Sequence, residues 1–197
     1  MREHILQAHQ AWKRLDFTTM TEAEFLQSDN RIHCVFYFLA PHRLKAIDLD
    51  FFRELSPLVP IVPVVAKSDI MTIKERNHYL EAIKQKLDTL SEQMKESCVY
   101  DFLGDDIVTL GANAADEAVT QSKTTELIRT PNLFAIVCDN GPERVYPWGK
   151  LRIDDHKVSE FRRLQTILFE NEFHIKGMLD NTRKKSIRLA KASALAI

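Results

Sequence analysis

The chain has 197 residues, of which 45% are hydrophobic, so its length and composition suit one globular domain with a full core and exclude a largely disordered chain. The formal net charge of −1 gives no reason to expect binding to nucleic acid. No apolar run approaches the roughly 18 residues that a membrane-crossing helix needs, and the N-terminus lacks the apolar core of a secretory signal.

The first third of the chain contains one predicted helix pair and one strongly apolar run. Residues 3–15 carry a modest helical pattern, and a short helix is predicted around residues 22–26. Residues 32–40, from Ile32 to Ala40, are almost continuously apolar. A run of this kind predicts a strand that is buried on both faces, and Pro41 is expected to end it.

A helix and a second strand are predicted next. Residues 44–55 place five large apolar side chains on one helical face. Residues 58–65 predict a second parallel strand, in which Pro60 and Pro63 are expected near the ends because proline cannot donate to a sheet ladder. The alternation of strand and helix predicts a three-layer α/β sandwich with right-handed crossovers.

The middle of the chain is predicted to begin with a capped helix. Thr72 and Glu75 form a capping box, in which each side chain can bond to the backbone N–H of the other residue. The apolar positions that follow predict a long helix through about Met94. Residues 99–103 are a short strand candidate, whereas residues 105–123 show no clear period.

The last third is predicted to hold a strand, a hairpin and helices. Residues 133–138 predict a third central strand, and residues 145–153 predict a hairpin. Residues 158–168 have the spacing of an amphipathic helix. After Thr182 the chain is rich in lysine and arginine, which is typical of a solvated helix face, although contact with an anionic membrane is an alternative.

The three cysteines, Cys34, Cys98 and Cys138, lie far apart and form no Cys-x-x-Cys pair. Two of them lie inside apolar runs, so buried free thiols in a reducing compartment are the simplest expectation. Together with the seven histidines, the cysteines show no metal-ligand spacing, and we assign no metal site. These features favour a cytoplasmic protein.

The most informative stretch is Ile-Val-Pro-Val-Val-Ala-Lys-Ser-Asp at residues 61–69. In open α/β sheets the ligand lies beyond the carboxyl ends of the strands, which is where Lys67 and Asp69 are expected. The carboxylate of Asp69 suits guanine, because one edge of that base carries two donors, the ring N–H and the exocyclic amine. Lys67 could lie along the base. The alternative is a strand followed by a charged turn.

Two further stretches agree with this interpretation. Residues 29–41 read DNRIHCVFYFLAP, and residues 144–149 read RVYPWG. Read in order with Ala-Lys-Ser-Asp, they resemble the septin family of GTP-binding cytoskeletal proteins, which carry a similar strand, a base-reading Ala-Lys-x-Asp and Arg-x-Tyr-Pro-Trp-Gly. The resemblance runs from about residue 29 to about residue 182. It implies a P-loop-GTPase-like parallel sheet with a small β-hairpin and C-terminal helices.

The phosphate-binding half of such a fold is missing from the resemblance. None of the five glycines lies in the Gly-x-x-x-x-Gly-Lys-Ser/Thr loop that a phosphate cradle needs. The resemblance therefore implies a septin-type G domain at residues 1–182 that lacks its N-terminal strands, P-loop and switch regions, followed by a short basic tail at residues 183–197. The strand at residues 32–40 would then have an unpaired apolar edge, which predicts association with another chain.

The resemblance also implies the site residues. Lys67 and Asp69 would read the base of GTP or GDP, Arg144 would stack near it, and His42 would reach the nucleotide of a facing subunit. The stretch at residues 137–140 lacks the glycine that septins have there, so the backbone would approach the base less closely. The alternatives are a solvated loop pair for Lys67 and Asp69, a strand-edge cation for Arg144 and a surface histidine for His42.

Tyr146 and Trp148 match a septin aromatic element near the nucleotide-side interface, and large aromatics are common interface anchors. The alternative is a hairpin that packs on its own domain. The resemblance implies a GTP-binding cytoskeletal protein that assembles with other septin subunits, or with itself, into hetero-oligomers or filaments that act in cell division. The alternative is a nucleotide-free adaptor. Septins are slow GTPases, but this chain shows no residue for magnesium or the attacking water, so we assign no catalytic residue and leave catalysis open.

Overall fold

In the computed structural model, residues 1–13, 29–102, 132–156, 158–170 and 172–194 are described. Their helices and strands alternate along the chain. In order they are α1 (Arg2–Lys13), β1 (Val35–Leu39), α2 (Ala46–Leu55), β2 (Ile61–Val65), α3 (Ile73–Met94), β3 (Phe134–Ala135), β4 (Glu143–Tyr146), β5 (Gly149–Arg152), α4 (Phe161–Gln165) and α5 (Glu172–Ala194). A short 3₁₀ turn covers Ser68–Ile70, and a π turn covers Thr166–Glu170.

The three strands β1, β2 and β3 form one parallel sheet in that order, so β2 is central. Strands β4 and β5 form a separate antiparallel hairpin, as predicted for residues 145–153. Residues 133–138 were expected to give a third central strand. Within the described residues β3 covers only Phe134–Ala135 and lies at an edge, because its outer side bonds to residues 159 and 160 through Ala135 and Val137.

Every residue of β2 is buried, and its side chains alternate between two cores. Ile61 and Val65 pack with side chains from α1, α2 and α3 on one face, among them Ile5 and Phe52. Val62 and Val64 pack on the other face with α4 and α5. Helices therefore cover the sheet on both faces, and the predicted three-layer α/β sandwich is confirmed.

Strand β1 differs from its prediction. It was expected to be buried on both faces, but only Leu39 is fully buried, whereas the exposed fraction is 37% for Phe36 and 60% for Phe38. On the inner face Tyr37 stacks on Phe51 of α2, with ring centres 4.2 Å apart. Phe36 and Phe38 lie on the opposite face of β1, beside Val62 and Val64. The described residues cover these two rings only in part, which is why an apolar run did not become a fully buried strand.

Pro63 lies in the middle of β2, opposite Tyr37, although it was expected near a strand end. The Val35 N–H donates to the Pro60 carbonyl, and the Ala66 N–H donates to the Leu39 carbonyl. These two bonds show that the backbone groups of every second residue of β2, from Val62 onward, point toward β1. The nitrogen of Pro63 therefore points away from β1. β3 pairs only with the two residues that follow Pro63, so no ladder bond is lost at the proline.

Helix α3 begins as the capping box predicts. The Glu75 N–H donates to Thr72 Oγ1 at 3.3 Å, and the Thr72 N–H donates to the Glu75 carboxylate at 2.8 Å. The helix ends at Met94, where Lys95 adopts the left-handed conformation that closes many helices. The start of this 22-residue helix is thus set by local sequence alone.

Helix α5 continues through the predicted boundary at residue 182, so no break in secondary structure marks the basic tail. The Thr182 hydroxyl donates to the His33 carbonyl at 2.9 Å. The Lys185 ammonium donates to the Ser56 carbonyl and lies 3.4 Å from the Glu96 carboxylate, and burial lowers its pKa. The boundary itself stays a prediction. Among the described helices, none is long and apolar enough to cross a bilayer.

Other predicted elements are shorter or lie outside the described residues. The predicted helix at residues 158–168 is only five residues of α-helix before the π turn begins. In the predicted strand at residues 99–103, the Tyr100 N–H donates to the Ile61 carbonyl at 2.8 Å, but residues 99–102 form no strand. The predicted helix at residues 22–26 and the aperiodic stretch at residues 105–123 lie outside the described residues.

Replacing Phe52 with alanine tests the core between α2 and the sheet. Phe52 is fully buried, and its ring meets Tyr37 edge-on at 5.2 Å. We expect Phe52→Ala to lower the free energy of unfolding by about 3–5 kcal/mol in urea denaturation, because a large cavity is left. The matched control is Ile47→Ala on the same helix, where a side chain that is 68% exposed is removed. A control loss as large as that of Phe52→Ala would contradict this account of the core.

The raised pKa values of two tyrosines predict how the free energy of unfolding depends on pH. Burial, with the Asp48 carboxylate beside it, raises the pKa of Tyr37 to about 12, and burial raises that of Tyr79 to about 12. Their hydroxyls donate to Asp48 and to the Ala40 carbonyl. Because the folded pKa is raised, the stabilisation is complete below the ordinary pKa of about 10 and is lost as the pH rises toward 12.

We therefore expect the free energy of unfolding to fall between about pH 10 and pH 12. The fall should be shallower in the double variant Tyr37→Phe/Tyr79→Phe, measured by urea denaturation at a series of pH values. An identical pH profile in the double variant would show that other groups control the alkaline transition.

Candidate functional site

The loop after β2 is tied to both neighbouring strands. The Ala66 N–H donates to the carbonyl of Leu39, the last residue of β1, at 3.1 Å. Ser68 is fully buried, and its N–H donates to the Ile136 carbonyl, just beyond β3, at 3.1 Å. Its hydroxyl donates to the Val158 carbonyl at 3.3 Å. These bonds hold the segment between Ala66 and Ser68 at the carboxyl edge of the sheet, where ligands bind in folds of this class.

Lys67 has a left-handed backbone, with φ 53° and ψ 43°. Among the described residues, the other non-glycine positions with positive φ are His42 and Lys95. Lys95 closes a helix, but Lys67 and His42 lie in loops at the carboxyl ends of β2 and β1. This conformation costs a residue with a Cβ atom about 1–2 kcal/mol, and such strain is concentrated at functional sites.

The carboxylate of Asp69 is fully buried, although its residue lies in a surface loop. The Arg144 guanidinium contacts it: Nη1 donates to Oδ1 at 3.4 Å and lies 3.2 Å from Oδ2. The contact to Oδ2 lacks hydrogen-bond geometry, and within the described residues Oδ2 has no hydrogen-bond partner. A buried carboxylate with one long hydrogen bond is under-satisfied, so a second donor would stabilise it.

A cavity of about 340 Å³ adjoins this ion pair. Its lining includes Lys67 and Arg144, together with Phe38, Cys138 and Asp139. Burial, and the Asp69 carboxylate nearby, raise the pKa of the Cys138 thiol, so this cysteine is protonated at neutral pH. The cavity thus combines apolar walls with a few converging charged groups, which is typical of a small-molecule site.

The structure brings three of the four predicted site residues together. Lys67, Asp69 and Arg144 lie at one place, whereas His42 lines a second cavity of about 380 Å³ with Glu75 and His78. The predicted role of His42 toward the nucleotide of a facing subunit stays a prediction. In the described part of the chain, no group of three His, Cys, Asp or Glu side chains could hold a metal ion.

Phe38 and Asp139 also line the cavity, although their sequence pattern does not predict it. The apolar run predicts that Phe38 is buried within a strand, and residues 137–140 differ from the septin pattern by a missing glycine. Their positions in the sequence could have indicated this, because both residues lie at the carboxyl ends of parallel strands. That is the same edge of the sheet as Asp69.

The hairpin connects this site to an exposed aromatic surface. Arg144 lies on β4 with its guanidinium carbon 5.3 Å from the centre of the Tyr146 ring. Tyr146 stacks on Trp148, with ring centres 4.6 Å apart and an interplanar angle of 10°. Trp148 is 71% exposed. A continuous line of contacts therefore runs from Asp69 through Arg144 to a large aromatic side chain at the surface.

Similarity to known proteins supports one family. The family model described as Septin matches residues 6–196. Septin-2B of Xenopus laevis is 32% identical over 184 residues, which are 84% of this chain and 47% of that protein. Protein peanut of Drosophila melanogaster is 29% identical over 182 residues, which are 86% of this chain and 31% of that protein.

Among solved structures, the septin GTPase domain from Chlamydomonas reinhardtii superposes with a TM-score of 0.69 at 22% identity. The match covers 96% of this chain and 66% of that domain, and at this identity it shows the fold alone. The chain spans about half the length, or less, of the curated relatives described above. Because the family model covers nearly the whole sequence, the chain belongs to the septin family.

Proposed function

We propose that this chain is the base-side part of a septin-type GTP-binding cytoskeletal protein, and that the cavity beside Asp69 binds the guanine base of GTP or GDP. The observation that carries the proposal is the fully buried Asp69 carboxylate, whose Oδ2 has no hydrogen-bond partner among the described residues. Family membership supports guanine nucleotide as the ligand class.

The geometry of the acid explains the choice of base. A carboxylate accepts two parallel bonds, and guanine offers a ring N–H and an exocyclic amine on one edge. Adenine has no such pair of donors. The Arg144 guanidinium, which now contacts both oxygens of Asp69, would move from the carboxylate to stack on the base face. The methylene stem of Lys67 would cover the other face of the base.

Replacing Asp69 with asparagine tests the base site. Asparagine offers one acceptor and one donor, which matches xanthine, because xanthine has a carbonyl in place of the amine. We expect Asp69→Asn to weaken GDP binding at least about tenfold, since a hydrogen bond to a charged group contributes about 1.5–3 kcal/mol. Binding of xanthosine diphosphate should strengthen in return. Both affinities are measurable by titration followed by NMR.

The matched control is Asp139→Asn, which removes the charge of an acid that lines the cavity beside Asp69. It should leave the preference for guanine over xanthine unchanged. If Asp69→Asn weakened GDP and ADP equally, with no gain for xanthosine diphosphate, Asp69 would not read the base.

We also propose that the chain assembles with other septin subunits in the cytoplasmic cytoskeleton and acts in cell division. The exposed Trp148 ring, supported by its stack on Tyr146, is the surface feature that favours such a contact. Large aromatics on a rigid support are enriched among the residues that dominate binding energy at interfaces. Membrane contact has weaker support, because Lys185 and Arg188 of the predicted basic tail both contact Glu96.

Truncation of the exposed indole tests the assembly proposal. Trp148→Ala should weaken binding to another septin at least about tenfold in sedimentation velocity of the mixture, as for other aromatic anchors. The matched control is Val145→Ala, which shortens another exposed side chain of the same hairpin, 68% exposed. Equal binding by Trp148→Ala and the unchanged protein would exclude this surface from the contact.

A second candidate function is a nucleotide-free adaptor that binds other septins without GTP chemistry. One observation favours it: the Arg144 guanidinium lies 3.2 Å from Asp69 Oδ2, so the charge of the acid is balanced within the chain. These 197 residues also contain no glycine-rich phosphate loop, and phosphate and magnesium contacts carry much of the affinity in such sites. The nucleotide content of the purified protein separates the candidates: bound GDP or GTP favours the first, and septin binding without nucleotide favours the adaptor.

A further inference from the structure

The two edges of the sheet differ in whether their outer backbone groups are hydrogen-bonded. At the β3 edge, the Ala135 N–H donates to the Glu160 carboxylate at 2.9 Å, and the Glu160 N–H donates back to the Ala135 carbonyl at 2.8 Å. The Val137 N–H donates to the Ser159 hydroxyl at 3.1 Å. The outward-facing backbone groups of Ala135, in β3, and the N–H of Val137, just beyond it, are therefore satisfied by the chain itself, and this edge is closed to another strand.

The β1 edge is open within the described part of the chain. The Val35 N–H donates to the Pro60 carbonyl at 2.9 Å, and the Leu39 carbonyl accepts from the Ala66 N–H at 3.1 Å. The backbone N–H and C=O groups of successive residues in a strand point to opposite sides. Those of Val35, Tyr37 and Leu39 therefore point toward β2, and those of Phe36 and Phe38 point away from it. The N–H and C=O groups of these two phenylalanines make four groups with no described hydrogen-bond partner.

The same two residues carry the exposed side chains of β1. Phe36 is 37% exposed and Phe38 is 60% exposed, and both rings lie on one face. The run from Cys34 to Ala40 contains no charged residue and no proline. Natural edge strands are usually protected by a charge, a proline or a bulge, and this strand has no such protection. An open, uncharged and apolar edge of this kind is suited to pairing with another strand.

The spacing of the four free groups makes the edge complementary to itself. We propose that two copies of this chain pair through β1 in antiparallel fashion, about a two-fold axis at Tyr37. Phe36 of each copy then lies opposite Phe38 of the other. In an antiparallel ladder such a pair exchanges both N–H···O bonds, so the two pairs make four bonds and use all four free groups of each copy. The Tyr37 residues face each other at the non-hydrogen-bonded position between them.

This pairing also buries the exposed phenyl rings. Residues directly opposite each other in a ladder project to the same face, so two Phe36 and two Phe38 rings form one apolar cluster. The sheet becomes six-stranded, and each of its outer edges is a β3 edge that the chain already closes. The patch is the same on both copies, as a two-fold interface requires.

The oligomeric state of the full chain tests the proposal. Sedimentation equilibrium over a range of protein concentrations should show a dimer. Phe38→Lys should convert it to a monomer, because the charge would be placed inside the phenyl cluster. Circular dichroism confirms that the variant is folded. Val145→Lys, at an exposed position on the hairpin, is the matched control and should remain dimeric.

Disulfide trapping tests the register. In a background with Cys34→Ser and Cys138→Ser, the variants Phe36→Cys and Phe38→Cys are made with different mass tags. Mixing them under mild oxidation should give the mixed disulfide, since hydrogen-bonded antiparallel partners have Cα atoms about 5.5 Å apart, within the range of disulfides. Each variant alone should cross-link far less.

Three results would each overturn the proposal. They are a monomer at all concentrations, a dimer lost in Trp148→Lys but kept in Phe38→Lys, and equal cross-linking by the single variants.

Discussion

The burial of β2 on both faces is the constraint on which the rest of the structure depends. Its five residues contact two separate cores, and its backbone bonds to strands on either side. A strand held in this way cannot shift register without moving apolar side chains from one core to the other. The loop that follows β2 is therefore fixed in space, and the packing of β2 determines the position of Asp69.

The site depends on a balance between burial and charge. Asp69 is removed from water, yet among the described residues only Arg144 makes a hydrogen bond or ion pair with its carboxylate, and one oxygen lacks a hydrogen bond. The guanidinium comes from the hairpin, 75 residues further along the chain. The contact with Arg144 therefore couples the loop after β2 to the hairpin, and any ligand that takes over the carboxylate also changes the environment of Tyr146.

Local sequence predicted the features that local physics decides. The capping box of Thr72 and Glu75 set the start of α3, and the apolar run before Ala66 gave the central strand. The pairing of Asp69 with Arg144 was not foreseen from the residues, because it depends on a hairpin folding back over the sheet edge. Pro63 was misplaced because a proline near a strand centre is tolerated only where the neighbouring strand has not begun, and sequence alone does not show that.

The error at β1 has a different origin. An apolar run shows that a strand needs cover on both faces, but it does not show which polypeptide supplies that cover. On one face Tyr37 and Leu39 are covered by helices of the same chain. On the other, Phe36 is 37% and Phe38 60% exposed, so the described residues cover these rings only in part. The apolar pattern is correct for β1, but the prediction also required that the same chain cover both faces of the strand.

The aromatic stack on the hairpin gives the molecule an optical property. The chain has two tryptophans, and Trp12 lies under the Arg31 guanidinium, with 3.9 Å between the guanidinium carbon and the ring centre. Trp148 instead stacks on Tyr146, which in turn lies beside Arg144. Movement of that arginine alters the charge near the stacked rings and hence the emission of the exposed indole. With Trp12 replaced by phenylalanine, the fluorescence of Trp148 alone would follow occupancy of the cavity in real time.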